Sequence, residues 1–522
     1  MRSALIIVAL VGLATVVAAF ARRIRVPPPS LLVVAGLAVG LVPAVPSVRI
    51  SPEIVGLVVL PPLLYAAGEE LSWRDLRAVW RPVTVLAVGL VVVSAVAVAA
   101  VAVGTLGLPV SVAFLLGAVL ASTDPVAVSA LGRRLSLPSR LQTLVQAESL
   151  FNDATSLILF RIAVGVVVAG AGWSAGRVAG EFLLLAGGGA AVGAAIAAVV
   201  AAVRRRTEDP LVETVFALIT PYLAYLAAES VRASGVTAVV VASVILGGLA
   251  PKLAGSRTRL QLAAVHATVV FLLESVVFAV IGLALPDLIR DLSAAHQRWF
   301  WPAVAIAVTL MLVRVAWVFP LAAFQHWRHA PDRPLWQVPA VVSWAGARGV
   351  VPLAAALSIP LLDDAGRPLA DRDIVLVLAI AVIVISLVVQ GFTLAPLVRR
   401  VDLAVPAADA DVAYAQARSR VAQAGLAYTD QLADLDAVPP VVVQRIRDSL
   451  LTRLEMAEPA TGDAAGQRSA ITQTYRRVRR EVVAIQSREL ARMYADGAID
   501  DATRRRVQRQ LDLEDARFTD ER

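Results

Sequence analysis

Apolar residues fill the first 400 positions in long blocks separated by short polar connectors, a rhythm too long for strands and too continuous for soluble amphipathic helices. A helix needs about 20 mostly apolar residues to cross a bilayer. Thirteen blocks meet that requirement, near 3–20, 28–46, 53–70, 82–104, 108–131, 140–170, 177–203, 210–230, 236–251, 263–286, 301–324, 336–360 and 373–398. The first could pass for a signal peptide. It is followed directly by Arg22, Arg23 and Arg25 and then by further apolar blocks, so it reads as a retained span. Short connectors leave no space for a large external domain within residues 1–400.

Basic residues in the connectors provide an independent check on this register. With Arg140 and Arg177 at the span edges counted in, connectors after odd-numbered spans hold 3, 3, 3, 3, 3 and 2 Lys or Arg, and those after even-numbered spans hold 1, 0, 1, 1, 2 and 2. Cytoplasmic loops are the basic ones, so the alternation predicts an outside N-terminus and a cytoplasmic C-terminal segment in a multi-pass protein of the cell (plasma) membrane.

Two spans are interrupted. Span five contains LASTDPVAVSAL, with Asp124 beside Pro125, and span twelve contains SWAGARGVVPLAAAL, with Gly346 and Gly349 around Arg348 and Pro352 beyond. Proline lacks an amide donor and clashes with the preceding turn, so helix breaks are expected near 122–125 and 346–352. The breaks lie seven spans apart, an odd offset that reverses orientation in the bilayer. That is the pattern of two inverted six-helix repeats with crossed broken helices, a pointer to a midplane site in a secondary transporter. The expected fold class is therefore an all-α polytopic membrane protein with about 13 transmembrane helices and a helical soluble tail.

Charge divides the chain in the same place. The 522 residues are 58% hydrophobic and 17% charged, against about a quarter charged in soluble domains. Residues 1–400 carry 30 basic and 20 acidic side chains, whereas 401–522 carry 18 and 20. The expected organisation is a transmembrane domain over 1–400 and a cytoplasmic helical tail over 401–522. The basic excess follows the membrane connectors, not a nucleic-acid surface. The absence of Cys excludes disulfides, thiolate metal sites and Cys nucleophiles.

Charges inside spans are costly and are functional candidates by default. Here they are Asp124, Glu148, Asp153, Arg161, Arg314 and Arg348, with Glu274 and Glu229 in spans ten and eight. QAESLFNDATSLILF (146–160) is the densest cluster. On a helix Ser149 and Asp153 are i,i+4 neighbours, as are Glu148 and Asn152, giving adjacent polar stripes rich in oxygen. Hard cations take oxygen ligands, and carbonyls freed by unwinding at Ser122–Thr123 would complete a cage. Asp153 also suits proton chemistry: desolvation favours the neutral acid and a bound cation favours the carboxylate, so the two ions compete. Glu148 reads as the ion-pair partner of Arg314, an intramembrane cation with no other obvious counter-charge. Asp124 has two readings, as an ion ligand or as a charge balancing helix ends and Arg348 at the crossing. Arg161 has no assigned role. It could pair with Glu274 or snorkel.

LASTDPVAV, AESLFNDATSLILF and SWAGARGVVPLA, in this order, resemble the electroneutral sodium–proton antiporter family of the cation–proton antiporter superfamily, in its bacterial form with a cytoplasmic helical tail. LPPLLYAAGEEL (60–71) is similar to a family signature at span three, although Ala66 stands where many members have an acid. The resemblance implies that Asp153 is the ion- and proton-binding carboxylate, with Asn152 as its partner. It implies that the Thr123 carbonyl and the Ser149 hydroxyl join Asp153 as Na+ ligands, and that Asp124 is the acid at the broken-helix crossing. Glu148 and Arg314 are then a structural ion pair and Arg348 the charge of the second broken helix. A six-helix core moving against a dimerisation domain, usually in a homodimer, is implied too.

The expected function is exchange of cytoplasmic Na+ for external H+, electroneutral and one for one, with membrane lipid as surroundings, no nucleic-acid partner, no enzymatic activity and no cofactor. Li+ or K+ could replace Na+, so a K+/H+ antiporter is the alternative. A cation channel and an intramembrane aspartyl protease are remoter, the latter because no GxGD follows a membrane Asp. The tail reads as soluble helices. Its Arg cluster within 476–480 is read as a solvated face, and Gly497 with Asp500 or Asp501 as a stop and restart signal.

Overall fold

The computed structural model describes residues 28–42, 55–124, 138–169, 175–207, 209–253, 255–290, 298–329, 336–401, 407–434 and 438–457, with Leu292 and short stretches inside 12–20 and 474–511. Most of the expected span 3–20, the chain from Pro125 to 137, the arginines at 476–480, Gly497, Asp500 and Asp501 lie outside the described residues. Two compact units are present, Met1–Ala404 and Val405–Arg522.

The first unit is all helical. It runs α1 Pro28–Gly40, α2 Leu60–Glu69, α3 Trp73–Thr84, α4 Val91–Leu106, α5 Val110–Leu120, α6 Ser139–Ala169, α7 Ala175–Arg204, α8 Pro210–Ser230, α9 Gly235–Leu253, α10 Ser256–Arg290, α11 Phe300–His329, α12 Gln337–Trp344, α13 Val350–Leu357 and α14 Arg372–Val401. Among the described residues seven helices are long and apolar enough to cross a membrane, and shorter apolar helices pack among them. This is a multi-pass, all-α membrane protein. Its helix limits follow local signals. Ser72 caps α3, Asp209 caps α8 with Pro210 at the first helical position, and left-handed Gly107 ends α4.

One connector differs from expectation. Arg74, Arg77 and Arg81 stand on α3, not in a loop, because α3 buries Leu76, Val79 and Val83 and continues into the next span. The join at Val85–Leu90 is a π-helical stretch just after Pro82. A missing proline amide is a local reason for such a widened turn. Helix α14 is the internal post of the unit: 72% of its apolar window is buried, against 22% for α11. The contrast separates a helix enclosed by the rest of the unit from one that lies mostly at its surface.

In the second unit α15 Ala407–Asp434 and α16 Pro440–Ala457 form a helical hairpin. Gly425 of α15 meets Leu450 of α16, and Arg447 pairs with Asp430 across the hairpin. Val483, Leu490 and Leu511 form a further small apolar cluster.

Lipid-facing helices have little hydrophobic incentive to associate, so close backbone approach replaces it. Helices α1 and α10 meet through glycine. A Cβ at Gly36 would strike the Ala279 carbonyl, and one at Gly282 would strike the Val33 carbonyl. Gly282→Val should therefore lower stability by about 1–3 kcal/mol through overpacking. Gly180→Ala, at an exposed helical site with open space around its Cα, should be neutral or stabilising by up to about 1 kcal/mol. Thermal unfolding of the two detergent-solubilised variants checks the contrast, and equal melting would mean the α1–α10 approach is slack.

Candidate ion-binding site

Helix α5 stops at Leu120, and the chain runs on non-helically through Ser122, Thr123 and Asp124. The cause is local: Asp124 precedes Pro125, and a pre-proline residue is driven out of helical geometry. The polar stripe of α6 lies against this break. Asn152 clamps Thr123 at both ends of its amide, donating to Thr123 Oγ1 at 2.6 Å and accepting from the Thr123 amide at 3.4 Å. Ser149 Oγ donates to the Thr123 carbonyl at 2.5 Å, and Ser156 Oγ to the Ala118 carbonyl at 2.6 Å. Ser149, Asn152 and Ser156 thus satisfy backbone groups that an intact helix would have used itself.

Asp153 completes this face at i+4 from Ser149. It is 7% exposed, and its Oδ1 has no hydrogen-bond partner; the buried Ser122 Oγ is likewise unpartnered. Buried acceptors are seldom left this way. A carboxylate oxygen becomes satisfied either by taking a proton or by accepting a cation. The break and the α6 stripe contribute the Ser149 hydroxyl one turn earlier, the Thr123 carbonyl that it bonds and the Ser122 hydroxyl, oxygens of the hard kind that alkali cations take.

The second break lies between α12 and α13, and the two breaks meet. The Asp124 amide donates to the Ala347 carbonyl at 2.6 Å, and the Val350 amide donates to Asp124 Oδ2 at 3.2 Å. Gly349 makes this possible, because a Cβ there would occupy the space of the Asp124 carboxylate. Arg348 works at the opposite pole: its Nε donates to the Leu120 carbonyl at 3.2 Å and its Nη1 to the Gly346 carbonyl at 2.5 Å. An acid therefore faces the N-terminus of α13 and a cation the C-terminus of α5, each complementing the local helix dipole. The Val350 amide is one partner of the Asp124 carboxylate, a contact of the kind that the helix-end reading of Asp124 expects.

Glu148 points away from the stripe shared by Ser149 and Asp153. It forms a bidentate pair with Arg314, Nη1 to Oε1 at 2.6 Å and Nη2 to Oε2 at 3.0 Å, both side chains being buried. Arg314 Nε and Nη2 also donate to the Val342 carbonyl, at 3.1 and 3.0 Å, in the last turn of α12. A Cβ at Gly346 would collide with the Arg314 side chain, so each glycine around Arg348 accommodates a different charged partner.

The structure corrects one expectation and adds two groups. Arg161 pairs with Glu229 at 2.7 Å, not with Glu274, and also donates to the Ala233 carbonyl at 2.8 Å. Both acid and cation were visible inside apolar runs, but 68 residues separate them and no periodicity joins them. Ser386 and Gln390 were also missed. The Arg348 amide donates to Ser386 Oγ at 3.0 Å, and Ser386 Oγ donates to Gln390 Oε1 at 2.7 Å. Their signal was an i,i+4 polar pair within an otherwise apolar helix.

The ion pair yields a test. Arg314→Met or Glu148→Gln alone leaves one buried charge uncompensated and should cost about 3–5 kcal/mol. The double variant should recover much of that loss. Thermal melts in detergent decide, since identical melting of singles and double would deny the pairing any energetic role.

Comparison with known proteins gives the family of the chain. The sodium/hydrogen exchanger transmembrane family matches residues 6–400. The chain is 34% identical over 535 residues to an uncharacterised Na(+)/H(+) exchanger of Mycobacterium tuberculosis, covering 99% of this chain and 96% of that one. It is 31% identical over 445 residues to the Na(+)/H(+) antiporter ApNhaP of Aphanothece halophytica, covering 85% and 81%. Its fold is similar to that of the sodium proton antiporter MjNhaP1 from Methanocaldococcus jannaschii at pH 8, with a TM-score of 0.64 at 19% identity over 77% of this chain and 99% of that one. With the family match spanning nearly the whole membrane unit, this chain belongs to the sodium/hydrogen exchanger family.

Proposed function

We propose that the protein is a secondary active antiporter of the cell membrane that exchanges cytoplasmic Na+ for external H+, one for one. The observation that carries this reading is the buried Asp153 carboxylate, whose Oδ1 makes no well-formed hydrogen bond, one helical turn after Ser149, which itself bonds the Thr123 carbonyl of the break. In the sodium-loaded state Asp153 is the anion, and the Thr123 carbonyl and Ser149 hydroxyl offer neutral oxygens. In the proton-loaded state Asp153 is the neutral acid. Neither state leaves a bare charge in the site, which lets the loaded site pass between the two faces of the membrane.

Asn152 keeps Thr123 in place and cannot titrate. Both carboxylate oxygens of Glu148 are engaged by Arg314, and Asp153 is the carboxylate that swaps a proton for the cation. One positive charge moves each way. Asp124 belongs to the site by holding the crossing closed beside the ligands, with Arg348 balancing the other helix end.

The wider architecture belongs to the same proposal. Thirteen spans form two inverted six-helix repeats, with the N-terminus outside and the tail over 401–522 in the cytoplasm. Spans four to six and eleven to thirteen form the moving core, and the remaining helices form the dimerisation domain of a homodimer. The interrupted helices in opposed repeats and the alternation of basic connectors support it.

Two outcomes are expected in vesicles with an imposed pH gradient. Asp153→Asn should abolish proton-coupled sodium flux while the protein still inserts and melts cooperatively. Persisting flux would remove Asp153 from its central role. In wild-type vesicles, clamping the membrane at about −100 mV should leave the exchange rate unchanged, although one net charge would be worth roughly 2.3 kcal/mol. A large rate difference between clamped and unclamped vesicles would mean that a second group titrates.

A further inference from the structure

The ion pair outside the site has a place in the transport cycle. Arg161 lies 8 residues after Asp153 on α6, about 12 Å further along the same helix. Asp153, Leu157 and Arg161 follow one another at i,i+4 spacing and share one broad face. Along this direction α6 leads away from the basic connector around Arg133 and Arg134, and therefore toward the outer side of the membrane.

The receptor for Arg161 is the corner between α8 and α9. Helix α8 ends in a Schellman-type turn: the Ala233 amide donates to the Ala228 carbonyl at 2.9 Å and the Arg232 amide to the Glu229 carbonyl at 3.0 Å. Arg232 occupies the left-handed position at φ 58°, where glycine is usual. The turn aims two acceptors at one cation. Arg161 Nη1 takes the Glu229 carboxylate at 2.7 Å and the Ala233 carbonyl at 2.8 Å. Glu229 Oε1 is held for this by the Gly235 amide at 3.2 Å. Arg161 and Glu229 are about one third exposed, so the pair is neither sealed in the core nor free in water.

We propose that Arg161 and Glu229 form an outer latch, a pair of positioning residues that ties the site-bearing helix α6 to the α8–α9 corner while the outer route to Asp153 is closed. The inference rests on the antiport reading above, in which α6 belongs to the moving core and α8 and α9 do not. Opening the outer route separates α6 from that corner and breaks the contact. A partly exposed pair is a weak bond, which suits the role. It biases a two-state equilibrium without locking it, whereas a sealed pair such as Glu148–Arg314 would have to stay intact through the cycle.

The test compares Arg161→Gln, Glu229→Gln and the double variant carrying both substitutions, in full-length protein. In vesicles each single variant should lower the apparent KM for external sodium and raise that for cytoplasmic sodium, by about two- to fivefold each. The double variant should shift both by no more than a single variant does, because the two side chains act through one contact. A role in stability alone would move both sides together, and such parallel shifts, or none, would overturn the latch.

A second readout does not depend on transport. The chain has no cysteine, so Leu157→Cys places a single reporter between the ion carboxylate and the latch. Leu157 is buried, and a membrane-impermeant maleimide added outside should alkylate that cysteine about two- to fivefold faster when either latch residue is neutralised. Unchanged alkylation would overturn the proposal. Absence of proton-coupled sodium flux in wild-type vesicles would sink the antiport reading, while the alkylation rates would still decide whether the contact gates the outer face.

Discussion

Backbone polarity in a bilayer is the constraint on which this structure depends. A helix broken in mid-membrane exposes amides and carbonyls that no water can satisfy, and each such group left bare costs several kcal/mol. Here two breaks are brought together so that each supplies what the other lacks. The Asp124 amide meets the Ala347 carbonyl, and the Asp124 carboxylate meets the Val350 amide. Arg348 covers the Leu120 carbonyl and Asn152 covers Thr123. With those groups paired, Asp153 Oδ1 and Ser122 Oγ are the buried side-chain atoms of this region that make no well-formed hydrogen bond.

Charge placement follows from the same constraint. Glu148 and Arg314 are fully enclosed and doubly bonded, and Arg314 also tethers α12 through Val342. A buried pair of this kind is weak evidence for net stability, because desolvation offsets its attraction. Its effect is positional: it fixes α6, α11 and α12 relative to one another beside the site. The Arg161–Glu229 pair differs in kind, since it is partly exposed and joins α6 to a turn. The two pairs differ in burial and in the number of hydrogen bonds that each arginine donates.

Glycine placement completes the mechanism of approach. At Gly349 and Gly346 the missing side chains make space for Asp124 and Arg314, so two residues with no chemistry of their own decide whether two charges reach their partners. At Gly36 and Gly282 the same lack of a side chain allows two helices to meet backbone to backbone. Small residues thus do in lipid what apolar burial does in water.

Much of this was legible in the chain itself. Block length and connector charge determined an all-helical membrane protein, because bilayer thickness and leaflet electrostatics act on composition alone. Pro125 and the glycines around Arg348 located the two breaks, and ESLFND placed Ser149, Asn152 and Asp153 on one helical face, because these are local backbone and periodicity effects. Pairing was another matter. Glu148 and Asn152 share a stripe by spacing, yet one turns to Arg314 and the other to Thr123, since each side chain goes to the neighbour that satisfies it. Arg161 found Glu229 and not Glu274, and Arg348 found Ser386 through its amide, only when distant helices were packed side by side. Sequence determined which groups must be satisfied in a medium without water, and tertiary structure decided by whom, because the partners lie tens to hundreds of residues away and only packing brings them within hydrogen-bond reach.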